Sequence, residues 1–138
     1  MTSKRLITIL LCLLMVTSVA APITASAYSW SSTKTFSLTK GDSWKSSSSA
    51  SDKKESESNI VKVKTVSLTM YNNPSFRIVS STGITPTVYC NSFKMGNTGN
   101  TKSDSHNTAP KNKTVYASLK PSGLQTGTDT IKFTFSAD

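Results

Sequence analysis

Apolar residues in this chain recur at every second position in short runs, and Gly, Pro, Asn and Ser separate the runs. A period of two is the signature of a half-buried β-strand. Thr33 to Thr39 puts Phe36 and Leu38 on one face and Thr35, Ser37 and Thr39 on the other. Thr114 to Lys120 holds Val115, Ala117 and Leu119 in phase, and Thr130 to Ser136 does the same with Ile131, Phe133 and Phe135. Phe76 and Ile78 share a side in Phe76 to Ser80. Ile84 to Asn91 reads as a further strand, extended by Phe93 and Met95. Pro86, lacking an N–H, confines that strand to an edge or a bulge.

Asn59 to Met70 is the strongest strand signal, and it slips phase. Val61 and Val63 lie on one face; Val66, Leu68 and Met70 rejoin it only if one residue is inserted. A β-bulge, or an exchange of buried faces at a sandwich corner, is therefore expected at Lys64 to Val66. Turns are expected at Lys40-Gly41-Asp42, Tyr71-Asn72-Asn73-Pro74, Ser81-Thr82-Gly83, Pro121-Ser122-Gly123 and Gly127-Thr128-Asp129.

Two segments are polar almost throughout. In Ser46 to Ser58 the one apolar residue is Ala50. Strand near Trp44, loop by Asp52 and a hairpin closing near Lys53 are expected there, because the segment buries little area against its ordering entropy. Gly96 to Asn112 reads as a long polar loop. Tyr28 to Ser32 reads as a loosely held start, with Trp30 packed on the domain. About seven strands with intervening turns predict an all-β fold, a small antiparallel β-sandwich.

The N-terminus follows another pattern. Lys4 and Arg5 precede Leu6 to Val16, an apolar run of eleven residues with one Thr. That is the length of a signal-peptide core, against roughly 20 residues for a membrane span. Ala25-Ser26-Ala27 supplies a small-x-small cleavage pattern, with Ser18-Val19-Ala20 as the alternative. Residues 1–27 are thus expected to form a cleavable signal helix, followed by one domain at 28–138 and no transmembrane anchor after cleavage. Cys12, inside the apolar run and preceded by Leu11, does not fit a lipid-attachment motif and leaves with the signal. The product is expected outside the cytoplasm, secreted or loosely associated with the cell wall.

Composition sharpens this. Without the first 27 residues, 111 remain, of which 46 are Ser, Thr or Asn. Thr favours strands and Ser and Asn favour turns, as an all-β fold with polar loops requires. Cys90 is the only remaining cysteine, so no intrachain disulfide forms; it is either a buried thiol or an intermolecular link. Against 7 acidic residues stand 14 basic ones, a net charge of +7. Such a balance favours acidic partners: an anionic cell-wall polymer or another surface component. Basic residues are scattered and not interleaved with aromatics, so no specific nucleic-acid partner is expected.

Chemistry for catalysis is sparse. His106 is the single histidine, and Asp104-Ser105-His106 holds the residue types of a hydrolytic triad at adjacent positions, whereas triads are assembled from distant ones. Nothing in the sequence positions Cys90 against His106. Glu55 and Glu57 share one face of a wet segment, with no core beneath to shape a cleft. No metal-ligand spacing and no cofactor motif occurs. The expected function is therefore a secreted non-enzymatic β-domain that binds an anionic surface through basic residues, with Lys53, Lys54, Lys102, Lys111 and Lys113 of the two polar segments as contacts. The alternative is a bacteriocin-like toxin acting on membranes. The whole is similar to small secreted β-proteins of Gram-positive bacteria, with no family motif from which to carry residues across.

Overall fold

The computed structural model describes residues 28–69, 72–122 and 127–138. The expected signal at 1–27, Met70 at the end of the Asn59–Met70 run, Tyr71 at the start of the turn expected at 71–74, and Gly123 to Thr126 lie outside the described residues.

Eight strands are described: β1 (Lys34–Thr39), β2 (Lys45–Lys53), β3 (Val61–Leu68), β4 (Ser75–Val79), β5 (Phe93–Lys94), β6 (Thr101–Asp104), β7 (Thr114–Lys120) and β8 (Thr128–Ser136). They form two four-stranded antiparallel sheets, β1-β8-β3-β6 (sheet A) and β2-β7-β4-β5 (sheet B). The described residues contain no helix.

The alternating residues build the core as expected. Phe36, Leu38, Val61, Val63, Ile131, Phe133 and Phe135 come from sheet A. Phe76, Ile78, Val115, Ala117 and Leu119 face them from sheet B. The sheets meet through their rings: Phe76 lies 6.0 Å from Phe133 and 5.8 Å from Phe135. Tilted and edge-to-face contacts of this kind stabilise beyond the area they bury.

The phase slip in β3 resolves as a bulge. Thr65 pairs with Phe133 and Ser67 with Lys132, leaving Val66 as the inserted residue. Val66 is exposed rather than buried, and Thr65 takes the buried position before the bulge. Leu68 then rejoins the core side, opposite Ile131.

The polar segments depart from expectation. β2 runs past Asp52 to Lys53, and it pairs with β7 instead of closing a hairpin. Ala50 is its buried anchor, and the ladder to β7 supplies what side-chain burial does not. Gly96 to Asn112 contains β6, an edge strand held to β3 from Val61↔Asp104 to Lys64↔Thr101. Conversely, Ile84 to Asn91 makes only the bridge Val88↔Val79, and Ile84 is fully exposed. Pro86 cannot donate to a ladder in this stretch. The start is tied down through Ser31, whose N–H donates to the Phe135 carbonyl at 2.8 Å and whose Oγ accepts from the Phe135 N–H at 3.1 Å. Trp30 keeps 40% of its surface exposed.

Candidate functional site

β5 and β6 are edge strands of opposite sheets, and a cleft of about 390 Å³ lies beside them. Lys94 and Lys102 line it, with Asn73, Asn97 and Asn100. Phe93 and the buried Met95 form its apolar part. No carboxylate is among the lining residues.

Local sequence explains the shape. Thr65, set inward before the Val66 bulge, donates from Oγ1 to the Gly96 carbonyl at 2.8 Å. Its N–H donates to the Asn100 carbonyl and its carbonyl accepts from the Gly99 N–H, so one residue fastens both ends of the 96–100 loop. Gly99 holds φ 86°, a conformation open to Gly at little cost. Gly96 is required for space: a Cβ there would stand 2.7 Å from the Asn100 Cβ and 3.5 Å from the Lys102 Cγ. The Lys102 stem thus lies across a bare backbone. Asn73 Nδ2 donates to Asn97 Oδ1 at 2.9 Å, joining the turn before β4 to this loop. The result is an amide-rich wall beside two ammonium groups, suited to oxyanions and hydroxyl groups.

The five lysines expected as contacts do not form one patch. Lys102 is in the cleft. Lys53 ends β2 opposite Thr114, and Lys111 and Lys113 flank the turn that joins Lys54 through backbone bonds, so these three gather at the other end of sheet B. Acids share that end: Lys111 Nζ lies 3.9 Å from Glu57 Oε1, an exposed pair. Lys54 is a correction. It is 2% exposed, and its ammonium donates to the carbonyls of Ser58 and Ala137. Burial holds its pKa below the ordinary lysine value, offset in part by Asp138 and Glu57. It belongs to an internal polar clamp on the last residues. There Asn107 Nδ2 donates to the Ala137 carbonyl, Asp52 Oδ2 accepts from the Ala137 N–H, and Asp138 Oδ1 accepts from the N–H groups of Glu55 and Ser56. A Lys-Lys pair in a polar segment gave no sign that one of the two turns inward. Lys94, missed among the expected contacts, sits between Phe93 and Met95; its flanks marked it as a strand residue.

Cys90 and His106 line a second, shallower depression of about 340 Å³, so the fold does bring them near each other. No hydrogen bond joins them. Cys90 Sγ accepts from the Ile78 N–H at 3.2 Å, and burial raises its pKa to about 11. The nucleophile of cysteine chemistry is the thiolate, which is scarce at neutral pH in such an environment. His106 Nδ1 instead meets Asp104 Oδ1 at 3.2 Å, while Asp104 Oδ2 accepts from the Asn91 N–H. Both Ser105 and His106 are exposed. Among the described residues no group of three or more His, Cys, Asp or Glu could hold a metal ion.

The described fold and site define a class, a two-sheet all-β domain with a basic, amide-walled cleft at one edge. Comparison with protein-family models, with curated proteins and with solved structures finds no match.

Proposed function

We propose that this protein acts outside the cytoplasm, after removal of residues 1–27, as a non-enzymatic module that binds an anionic polymer of the cell envelope in the β5–β6 cleft. The observation that supports this most is the pairing of Lys94 and Lys102 with three amides and no carboxylate. Surface lysines near acids offer little net attraction, whereas two in an acid-free cleft concentrate positive potential on one site. The surrounding amides add donors that fix an oxyanion after the charge has drawn it in.

The test is titration of the purified protein with a poly(glycerol phosphate) chain at several salt concentrations. Binding should weaken steadily with salt, because charge attraction is screened and counterions are released. The double variant K94Q/K102Q should lose about tenfold or more in affinity, and K53Q/K111Q/K113Q less than threefold. Salt-independent binding, or equal losses in both variants, would sink the cleft as the site.

A further inference from the structure

Lys94 belongs to two surfaces. It lines the cleft, and it also pairs with Ser75, which in turn pairs with Lys120. Ser75 precedes the core residue Phe76, and Lys120 follows the core residue Leu119, so this row stands on the outer face of sheet B. Lys94 and Lys120 flank β4 from either side, with backbones about 10 Å apart at roughly 4.8 Å per strand.

A second row lies beside the first. Arg77 pairs with Ser118 and Ser118 with Ser46, on the same outward side, where Ser118 itself is covered and only 1% exposed. The Arg77 guanidinium lies 4.0 Å from the centre of the Trp44 ring. A stacked guanidinium is held by its face, which leaves in-plane N–H groups of its terminal nitrogens for contact to an oxyanion, while the Arg77 Nε is itself buried without a partner. Arg77 has no carboxylate partner among the described residues. The strands of sheet B contain a single acid, Asp52, and it points inward, opposite the core residue Val115. On the outer face the strands of sheet B therefore carry Lys94, Lys120 and Arg77 with no acid among them, while Lys53 lies at the end shared with Glu57.

The two aromatic rings that meet cations, Trp44 under Arg77 of sheet B and Tyr28 under Lys62 of sheet A, each already carry a cation on one ring face. This favours a ligand read through charge over one read by stacking of flat rings.

Resting on the cleft reading above, we infer that the ligand is a linear polyanion. It leaves the cleft over Lys94 and crosses the outer face of sheet B perpendicular to the strands, with Lys120 and Arg77 holding its next charges. The path turns onto sheet B and not sheet A because of what borders the cleft on each side. The outward positions of β6 are Thr101 and Ser103, beside Lys64 and Lys62, so no cation of the edge strand itself leads that way. On sheet B the edge strand supplies Lys94.

The experiment compares a poly(glycerol phosphate) of about 20 units with a two-unit oligomer, each titrated against wild type, K94Q/K102Q, K120Q/R77Q and K64Q/K132Q. Thermal melts confirm that each variant is folded, and Lys120→Gln alone, at an exposed position, serves should the Arg77 change disturb the Trp44 stack. The inference expects K120Q/R77Q to bind the long chain about tenfold more weakly and the two-unit oligomer within twofold of wild type. K120Q alone should show a two- to threefold loss on the long chain. The slope of log affinity against log salt should flatten by about one to two, at roughly 0.7 per charge neutralised on a flexible polyanion. Unchanged long-chain binding in K120Q/R77Q, or loss in K64Q/K132Q instead, overturns the path while leaving the cleft intact. If K94Q/K102Q binds the long chain like wild type, the cleft reading falls and takes this one with it.

Discussion

Cys90 fills a gap in a β-ladder, and its replacement tests that role directly. Beyond the β5 pairing, the edge of β4 continues against residues 87–89. The Ser80 N–H donates to the Thr87 carbonyl, and the Tyr89 N–H to the Ile78 carbonyl. The reciprocal bond, Ile78 N–H to the Tyr89 carbonyl, is not made. That carbonyl accepts instead from the N–H and Oγ1 of Thr108, at 2.8 Å and 3.1 Å. Ile78 N–H is left to the Cys90 sulfur at 3.2 Å, in a site where Cys90 is 5% exposed.

Cys90→Ala removes the acceptor and leaves a buried N–H unpaired, at about 1–3 kcal/mol. Loss of the packed sulfur adds up to about 1 kcal/mol. For a domain of this size each kcal/mol lowers Tm by roughly 4–8 °C, so a drop between about 4 and 30 °C is expected. Cys90→Ser keeps an acceptor and should lose less than Ala. The assay is thermal unfolding followed by circular dichroism, with hydrogen exchange at the Ile78 amide as the local readout. An alanine variant within 0.5 kcal/mol of wild type, with Ile78 still protected, would refute the reasoning. Alkaline pH gives an independent check. The folded thiol titrates at about 11, above its ordinary value near 9. The folded state therefore holds its proton longer than the unfolded chain. That contribution is complete below pH 9 and fades towards pH 11, so the wild type's stability advantage over Cys90→Ala should shrink across this window.

The Asp52 carboxyl is held above its ordinary pKa of 3.8, chiefly by burial. The folded state thus binds its proton more readily than the unfolded chain, and this group's contribution weakens as pH rises through the window just above 3.8. Asp52→Asn, which keeps an acceptor for Ala137 N–H, should remove that part of the pH slope in urea titrations between pH 3 and 6 and leave stability at pH 7 equal or higher; a lower value at pH 7 would contradict it. Gly96→Ala forces its Cβ against Asn100 at 2.7 Å. The variant should stay folded, lose about 1–3 kcal/mol through overpacking and bind poly(glycerol phosphate) at least fivefold more weakly; unaltered binding would separate the 96–100 loop from the site.

What the sequence made legible was whatever side-chain burial dictates. Phe133 and Phe135, or Val115, Ala117 and Leu119, alternate because one face of each strand is in the core. The phase slip in β3 was legible for the same reason, but a bulge and an exchange of buried faces both fitted it, and the register to β8 decides for the bulge. β2 and β6 were not, because they are held by ladders to β7 and β3 while their side chains remain mostly wet. Ile84 to Asn91 failed in the opposite sense: it has strand-like alternation but only one bridging residue. At the cleft, Lys102 was identified by charge in a polar segment, whereas Lys94 and the three asparagines needed the fold to bring them together. Lys54 shows the limit of charge counting. Its ammonium answers the carbonyls of Ser58 and Ala137, and nothing in Lys53-Lys54 distinguishes the residue facing water from the one facing inward.

The bulge links fold to site. Without an inserted residue, β3 would keep one phase throughout, and Leu68 would point to solvent if Val61 and Val63 pointed to the core. With Val66 inserted, Thr65 stays inward as the last residue of the first register, opposite Phe133. A purely apolar residue there would satisfy the core but could not hold the Gly96 carbonyl. A buried Thr can do both, because its hydroxyl reaches the loop. That loop carries Asn97 and Asn100 and backs the Lys102 stem. The insertion that lets β3 bury both of its halves thus comes directly after the hydrogen-bonding side chain that anchors the cleft wall. The exposed Val66 is the visible cost of that arrangement: an apolar side chain given up to solvent so that Leu68 can return to the core side.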